Sequence, residues 1–140
     1  MTELYDAESN QWNVIAINPE MAGYEHFSVV YLHSSTMVFG GIQNEVESRD
    51  VYRLNLKNGV YTWKVYDEKL LEPRQHHTTI KHGNTIIHIG GIGNKPYEVW
   101  EEDPDTQNKW TIRRTSDKLG GWAFWPVAFF IEPDQFNTKP

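Results

Sequence analysis

Sliding the chain over itself by 50 residues, without a gap, lays residues 24–42 on residues 74–92. His26 meets His76, Gly40-Gly41 meets Gly90-Gly91 and Ile42 meets Ile92, while Val30/Ile80, Ser28/Thr78, Met37/Ile87 and Phe39/Ile89 keep apolar or small character. A fixed period of this length marks one supersecondary unit used more than once, which buries its apolar faces against its neighbours. The chain must therefore stack copies of that unit. A second landmark recurs out of phase with the first: Trp12, Trp63 and Trp110, each after a turn-like polar stretch that reads Asn10-Gln11-Trp12 and Asn108-Lys109-Trp110 in two of the three cases.

Inside each unit, β-branched and aromatic runs alternate with Gly, Asn, Asp and Pro clusters, and helical periodicity is absent. The pattern predicts an all-β chain with four short strands per unit. In the better-marked unit these are 77–82, 85–89, 97–102 and 109–114, with Gly83-Asn84 as a tight hairpin turn and His33-Ser34-Ser35-Thr36 as its looser counterpart. The glycine pairs Gly40-Gly41 and Gly90-Gly91 end apolar strands, where a missing Cβ lets the backbone bend and a neighbour approach closely. They read as structural, not catalytic.

An apolar strand ending in Gly-Gly, a variable loop, a Tyr-Asp-like pair and then a Trp resembles the Kelch-repeat family. Here the signature is 86–91, then Glu102-Asp103, then Trp110; in the preceding unit it is 37–41, then Leu54-Asn55, then Trp63. Tyr5-Asp6 and Trp12 supply its closing part at the front. The resemblance implies four-stranded antiparallel blades of a β-propeller, divided as 1–17 (end of one blade), 18–67 (a blade), 68–115 (a blade) and 116–140 (start of a further blade). Trp12, Trp63 and Trp110 would then share one structural position and pack between blades. Trp100, Trp122, Phe124 and Trp125 lack repeat partners and would either cap a blade face or form an adhesive patch.

That totals about three blades, fewer than the four to eight of a closed ring. The expectation is an incomplete ring whose open flanks need covering. The chain could be part of a longer propeller, two copies could form a six-bladed homodimer, or an open arc could pair with a different protein or stand alone.

Composition narrows the function. Nineteen Asp and Glu against thirteen Lys and Arg give a net charge of -6, which argues against nucleic-acid binding through phosphate contacts. With no cysteine, disulfides, thiolate metal sites and Cys nucleophiles are excluded. The polar, acidic N-terminus lacks signal-peptide character, and the longest apolar run, residues 122–131, is about half a membrane span. The chain reads as soluble, unprocessed and cytoplasmic. Of its six histidines, His76, His77, His82 and His88 fall within thirteen residues. Strand alternation places His76 and His82 about 20 Å apart, so these read as packed or backbone-bonded, and neither a metal nor a cofactor is expected. Glu101, Glu102, Asp103 and Asp105 form a carboxylate cluster, yet Asp103-Pro104-Asp105 reads as a turn.

Function then falls to loops on a rigid scaffold. In Kelch propellers, loops joining strands two and three and loops joining blades surround the channel mouth and bind peptides. Here they are 43–50, 93–97, 19–25 and 69–75, which contribute Tyr24, Gln43, Asn44, Arg49, Arg74, Gln75, Asn94, Lys95 and Tyr97. Such side chains suit an acidic or polar peptide. In many Kelch units the basic residue before the histidine pair bonds between blades instead, which gives Arg74 a second reading. The resemblance implies a non-catalytic adaptor with a protein or peptide partner, such as ubiquitin-ligase substrate recognition or actin contact. The alternative is part of a propeller enzyme acting on carbohydrate or a small molecule.

Overall fold

The computed structural model describes residues 1–91, 97–106 and 109–114, with Arg113 and Arg114 described through their backbone alone. Strands β1 (Thr2–Asp6) and β2 (Gln11–Ala16) form a two-stranded antiparallel ribbon. A short 3-10 turn, Pro19–Met21, follows, with the Asn18 side chain accepting from the Glu20 amide at 3.0 Å. Next come β3 (Tyr24–Glu25), β4 (Ser28–Leu32), β5 (Ser35–Phe39), β6 (Ile42–Gln43), β7 (Val46–Glu47), β8 (Val51–Lys57) and β9 (Val60–Val65). Strands β10 (Thr78–His82), β11 (Thr85–Ile89), β12 (Tyr97–Glu102) and β13 (Trp110–Arg114) complete the described chain.

Two four-stranded antiparallel sheets carry the fold, β4-β5-β8-β9 and β10-β11-β12-β13, each with its strands in chain order. Strands β3, β6 and β7 make a small three-stranded sheet at one end of the first. Among the described residues there is no α-helix, no sheet closes on itself, and no helix is long and apolar enough to cross a membrane. The four strands read from the second unit fall within one residue of those observed. The turn at His33-Ser34 is tighter than its sequence suggested: Leu32 pairs directly with Ser35, and both turn residues take positive φ (47° and 58°).

Alternation along the strands sets the core between the sheets. The first sheet contributes Leu32, Met37, Phe39 and Val51, and the second contributes Ile86 and Trp100, with Leu70 from the connection between them. Trp100 is fully buried, 5.6 Å edge-on to Phe39 and 5.9 Å from Trp110, whose indole donates to the Tyr66 hydroxyl. This corrects the sequence reading of Trp100 as an unmatched aromatic. Sheet register makes it the counterpart of Leu54, since Leu54 lies opposite Thr36 as Trp100 lies opposite Ile86.

The recurrent tryptophans do not share one position. Trp63 pairs with Leu54, whereas Trp110 pairs with Glu102, the counterpart of Leu56; by register Trp110 matches Tyr61 and Trp63 matches Ile112. Trp63 lies on the face of the first sheet turned away from the second, where its indole donates to Thr2 of the ribbon at 2.7 Å. Trp12 was expected between blades but is 67% exposed, with its ring 5.2 Å from that of Tyr5. The reason is its face: Leu4 and Ile15 turn towards the first sheet, and Tyr5 and Trp12 alternate with them onto the other side of the ribbon. Trp122, Phe124 and Trp125 lie outside the described residues.

The diglycines sit where backbones touch. Gly40, at φ 56°, brings its chain so near the connecting segment that an added Cβ would lie 2.5 Å from the Arg74 carbonyl oxygen. The Gly41 amide donates to that same carbonyl. Gly91 approaches the Gln75 carbonyl as Gly41, its counterpart one repeat earlier, approaches the Glu25 carbonyl.

Candidate partner-binding rim

Chain order in the two sheets fixes which connections share an end. The segments before β4 and β10, those after β5 and β11, and the 66–77 link between sheets all emerge at the end occupied by β3, β6 and β7. At this rim, Tyr24 of β3 pairs with Gln43 of β6, and the Gln43 amide donates to the carbonyls of Glu20 and Ala22, both at 2.8 Å. Asn44 and Glu45 form the tip of the β6-β7 hairpin with φ of 51° and 65°, a conformation that Asn tolerates well. Arg49 is exposed, and its carbonyl accepts from the Leu70 amide. Tyr97 begins β12 at the same end, half-buried.

The rim carries a defined polar surface. Tyr24 stands edge-on to Tyr52 at 5.5 Å. Burial raises the pKa of Tyr24, and burial together with Tyr24 and Asp50 pushes Tyr52 up to about 12, so both stay protonated at neutral pH. Lys69 bridges to Asp50 at 2.5 Å. Gln75 donates to the Glu47 carboxylate at 3.0 Å, tying the inter-sheet link to the β6-β7 hairpin. His26 and His76, one from each unit, lie ring against ring beside them. Sequence reasoning left His26 and Glu47 out of this surface, and it missed Tyr52, which is buried against Tyr24. The signal for His26 was its alignment with His76.

Arg74 does not belong to the rim surface, which corrects its assignment as a binding residue. It is 1% exposed and bonds between the sheets: its guanidinium donates to the Gly90 carbonyl at 3.2 Å and lies 3.8 Å from Glu98. Its backbone meanwhile holds the first unit, with its amide on Ser48 and its carbonyl on Gly41. Gln75 is likewise largely buried, with its amide spent on Glu47. Asn94 and Lys95 lie outside the described residues. The structure thus gathers Tyr24, Gln43, Asn44, Arg49 and Tyr97 at one end and withdraws Arg74 into the seam.

Below the rim the seam is polar. Glu98 accepts from the Trp100 indole at 2.6 Å and from the Leu71 amide at 3.0 Å. His88 shares a hydrogen bond with Thr79 at 2.8 Å and packs 4.6 Å from Phe39. His77 lies 6.0 Å from His88, and its two ring nitrogens find no hydrogen-bond partner among the described residues. At the opposite end, the Glu102 carboxylate meets His33 at 2.8 Å, a second bridge between the sheets. Asp103 is spent on its own turn, accepting from the Asp105 amide and the Thr106 hydroxyl, as the sequence suggested. Among the described residues no group of three or more histidine or carboxylate side chains converges as metal ligands would. No family model matches the chain, and no curated protein matches it.

Proposed function

We propose that this chain is a Kelch-type propeller segment whose rim binds a peptide or protein partner, without catalysis. The observation that carries the reading is the stacking of two four-stranded meander sheets one repeat apart, with their variable connections at one end and their diglycines packed against the link between them. A stack held by buried side chains and by backbone bonds such as His76 to His26 is a stiff base for loops. The rim offers the protonated Tyr24 hydroxyl, an exposed guanidinium and hairpin-tip amides, which suit carboxylate or carbonyl acceptors on an extended polar peptide.

Panning a random peptide display library on the immobilised chain tests this. Selected peptides should lose about tenfold in affinity, roughly 1.4 kcal/mol, on Arg49→Ala or Tyr24→Phe. They should be indifferent to Lys57→Ala, which alters the far end of the first sheet. Failure to enrich any peptide, or equal loss from the far-end variant, would overturn the assignment of the rim.

A further inference from the structure

The charges of this chain are unevenly placed. Residues 1–48 hold seven Asp and Glu and no Lys or Arg, so the first permanently basic side chain is Arg49. That acidic stretch forms the β1-β2 ribbon, the 3-10 turn and strands β3 to β7. Among the described residues no ion pair involves Glu3 of β1 or Glu20 of the turn. A field of one sign over one part of a surface favours a partner of the other sign.

Stacking decides which edge of the ribbon is open. Strand β2 packs against β9, the outer strand of the first sheet, as β4 packs against β10 between the inner strands of the two sheets. Strand β1 is therefore the inner strand of the ribbon. It pairs with β2 on one side, and among the described residues nothing pairs with it on the other. Beside that open edge lies a cavity of about 510 Å³, which Met1, Thr2 and Glu3 bound on the ribbon and to which no residue of β2 contributes. Phe27, Val29 and Val38 bound it on the first sheet. Val38 is buried, whereas Phe27 and Val29 remain 39% and 47% exposed. Asn18 and Met21, on either side of Glu20, line the same cavity. An open strand edge beside an apolar hollow is what strand addition requires: backbone groups supply the pairing, and alternate side chains of the added strand enter the hollow. The hollow is many times the roughly 30 Å³ that one water takes up, so it admits side chains.

We propose that the open edge of β1 takes up an extended, basic segment of another protein, which pairs with Thr2–Asp6 as a third strand, sets apolar side chains against Phe27 and Val29, and matches Glu3 and Glu20 with Lys or Arg. A second copy of this chain paired through the same edge would set Glu3 and Asp6 against carboxylates of their own kind, which disfavours it. The edge stands apart from the rim, where Arg49 favours acceptors of the opposite charge, so peptide capture at either place can fail without the other.

A dansyl-labelled heptapeptide of alternating lysine and apolar residues, with phenylalanine at its centre and valine on either side, is the probe, read by fluorescence anisotropy against the full chain. It should bind saturably, and its counterpart with glutamate in place of lysine should bind at least about tenfold more weakly. Methylating the amide nitrogens of one alternate set of peptide residues should abolish binding while methylating the other set leaves it, because only one edge of the peptide faces β1. Glu3→Lys and Val29→Lys, both at exposed positions and each checked to melt as the unmodified chain does, should weaken binding about tenfold. Lys57→Ala, at the far end of the first sheet, should leave it unchanged. Absence of saturable binding up to about 1 mM, equal binding of the glutamate peptide, tolerance of both methylated sets, or indifference to both Glu3→Lys and Val29→Lys would each overturn the proposal. So would a stable dimer by light scattering that takes up no peptide, since the edge would then belong to a second copy.

Discussion

The imidazole of His26 lies on that of His76 with ring centroids 3.8 Å apart, and the His76 amide donates to the His26 carbonyl over 3.0 Å. The two residues are equivalent in the repeat, and both adopt positive φ, 57° and 55°, immediately before the inner strands. Each unit therefore turns into its first strand through the same left-handed residue, and the two turns touch. A β-branched side chain resists this conformation, whereas Asn accepts it. His26→Val should destabilise the chain by about 1 kcal/mol more than His26→Asn in urea denaturation, because His26 is exposed and little packing is lost in either case. Equal midpoints would show that the left-handed turn does not constrain this site.

The diglycines make a sharper contrast. Gly40 and Gly83 share positive φ, 56° and 54°, but an added methyl at Gly40 would strike the Arg74 carbonyl, whereas nothing lies within 4 Å of one at Gly83. Gly83→Ala should cost about 1 kcal/mol from backbone strain alone. Gly40→Ala should cost at least about 2 kcal/mol, since the backbone it meets cannot swing aside as a side chain would. Matching losses by thermal or urea melting would mean that conformation, and not close approach, explains the pair.

Trp100 and Trp12 should also separate. Trp100 is fully buried against Phe39, His88 and Trp110, so Trp100→Ala should remove about 3–5 kcal/mol and leave the chain largely unfolded. Trp12, two-thirds exposed on the outer face of the ribbon, should lose less than about 1 kcal/mol on the same change. Near-ultraviolet circular dichroism and urea midpoints read both. A large loss at Trp12 would show that its face is covered in solution.

The reason the sequence ranks these tryptophans differently is a matter of loop length. Strand runs, the Gly-Gly ends and the Gly83 turn are local signals, and the second unit's four strands could be read from them directly. Pairing across a loop is not local. Nine residues separate Gly41 from Val51 and five separate Gly91 from Tyr97, so an ungapped 50-residue shift loses register at β8 and β12 and hides the match of Leu54 with Trp100. The Asn58-Gly59 turn and the longer 103–109 connection then disguise Trp63 and Trp110 as equivalents. For the rim, position in the repeat found Tyr24, Gln43 and Asn44. It misplaced Arg74 because the partners that bury it, the Gly90 carbonyl and Glu98, lie 16 and 24 residues further on in the next sheet.

Acid should loosen the seam between the sheets. Burial, with Arg74 adding a like charge, lowers the His77 pKa to about 3, and burial with His77 and Arg74 holds His88 well below its ordinary range. Both rings are therefore neutral in the folded chain, while an unfolded histidine takes up its proton near pH 6.5. Below that pH the unfolded state binds more protons, so stability is complete above about pH 6.5 and falls as pH drops towards 3, by roughly 1 kcal/mol per pH unit for each histidine. Glu98 faces the same seam and acts in the opposite sense: burial raises its pKa, so its cost is greatest once ionised and relaxes on acidification. Arg74 keeps its charge throughout, the Glu72 carboxylate acts on both Arg74 and Glu98, and Thr79, Phe39 and Trp100 do not titrate. Two histidines against one carboxyl leave a net acid loss. Urea midpoints at pH 7.5, 6 and 5 should fall steadily, and His77→Gln and His88→Gln should each flatten the slope by about one histidine's share, whatever they cost at pH 7.5. Slopes unchanged by both substitutions would mean that the protons enter elsewhere.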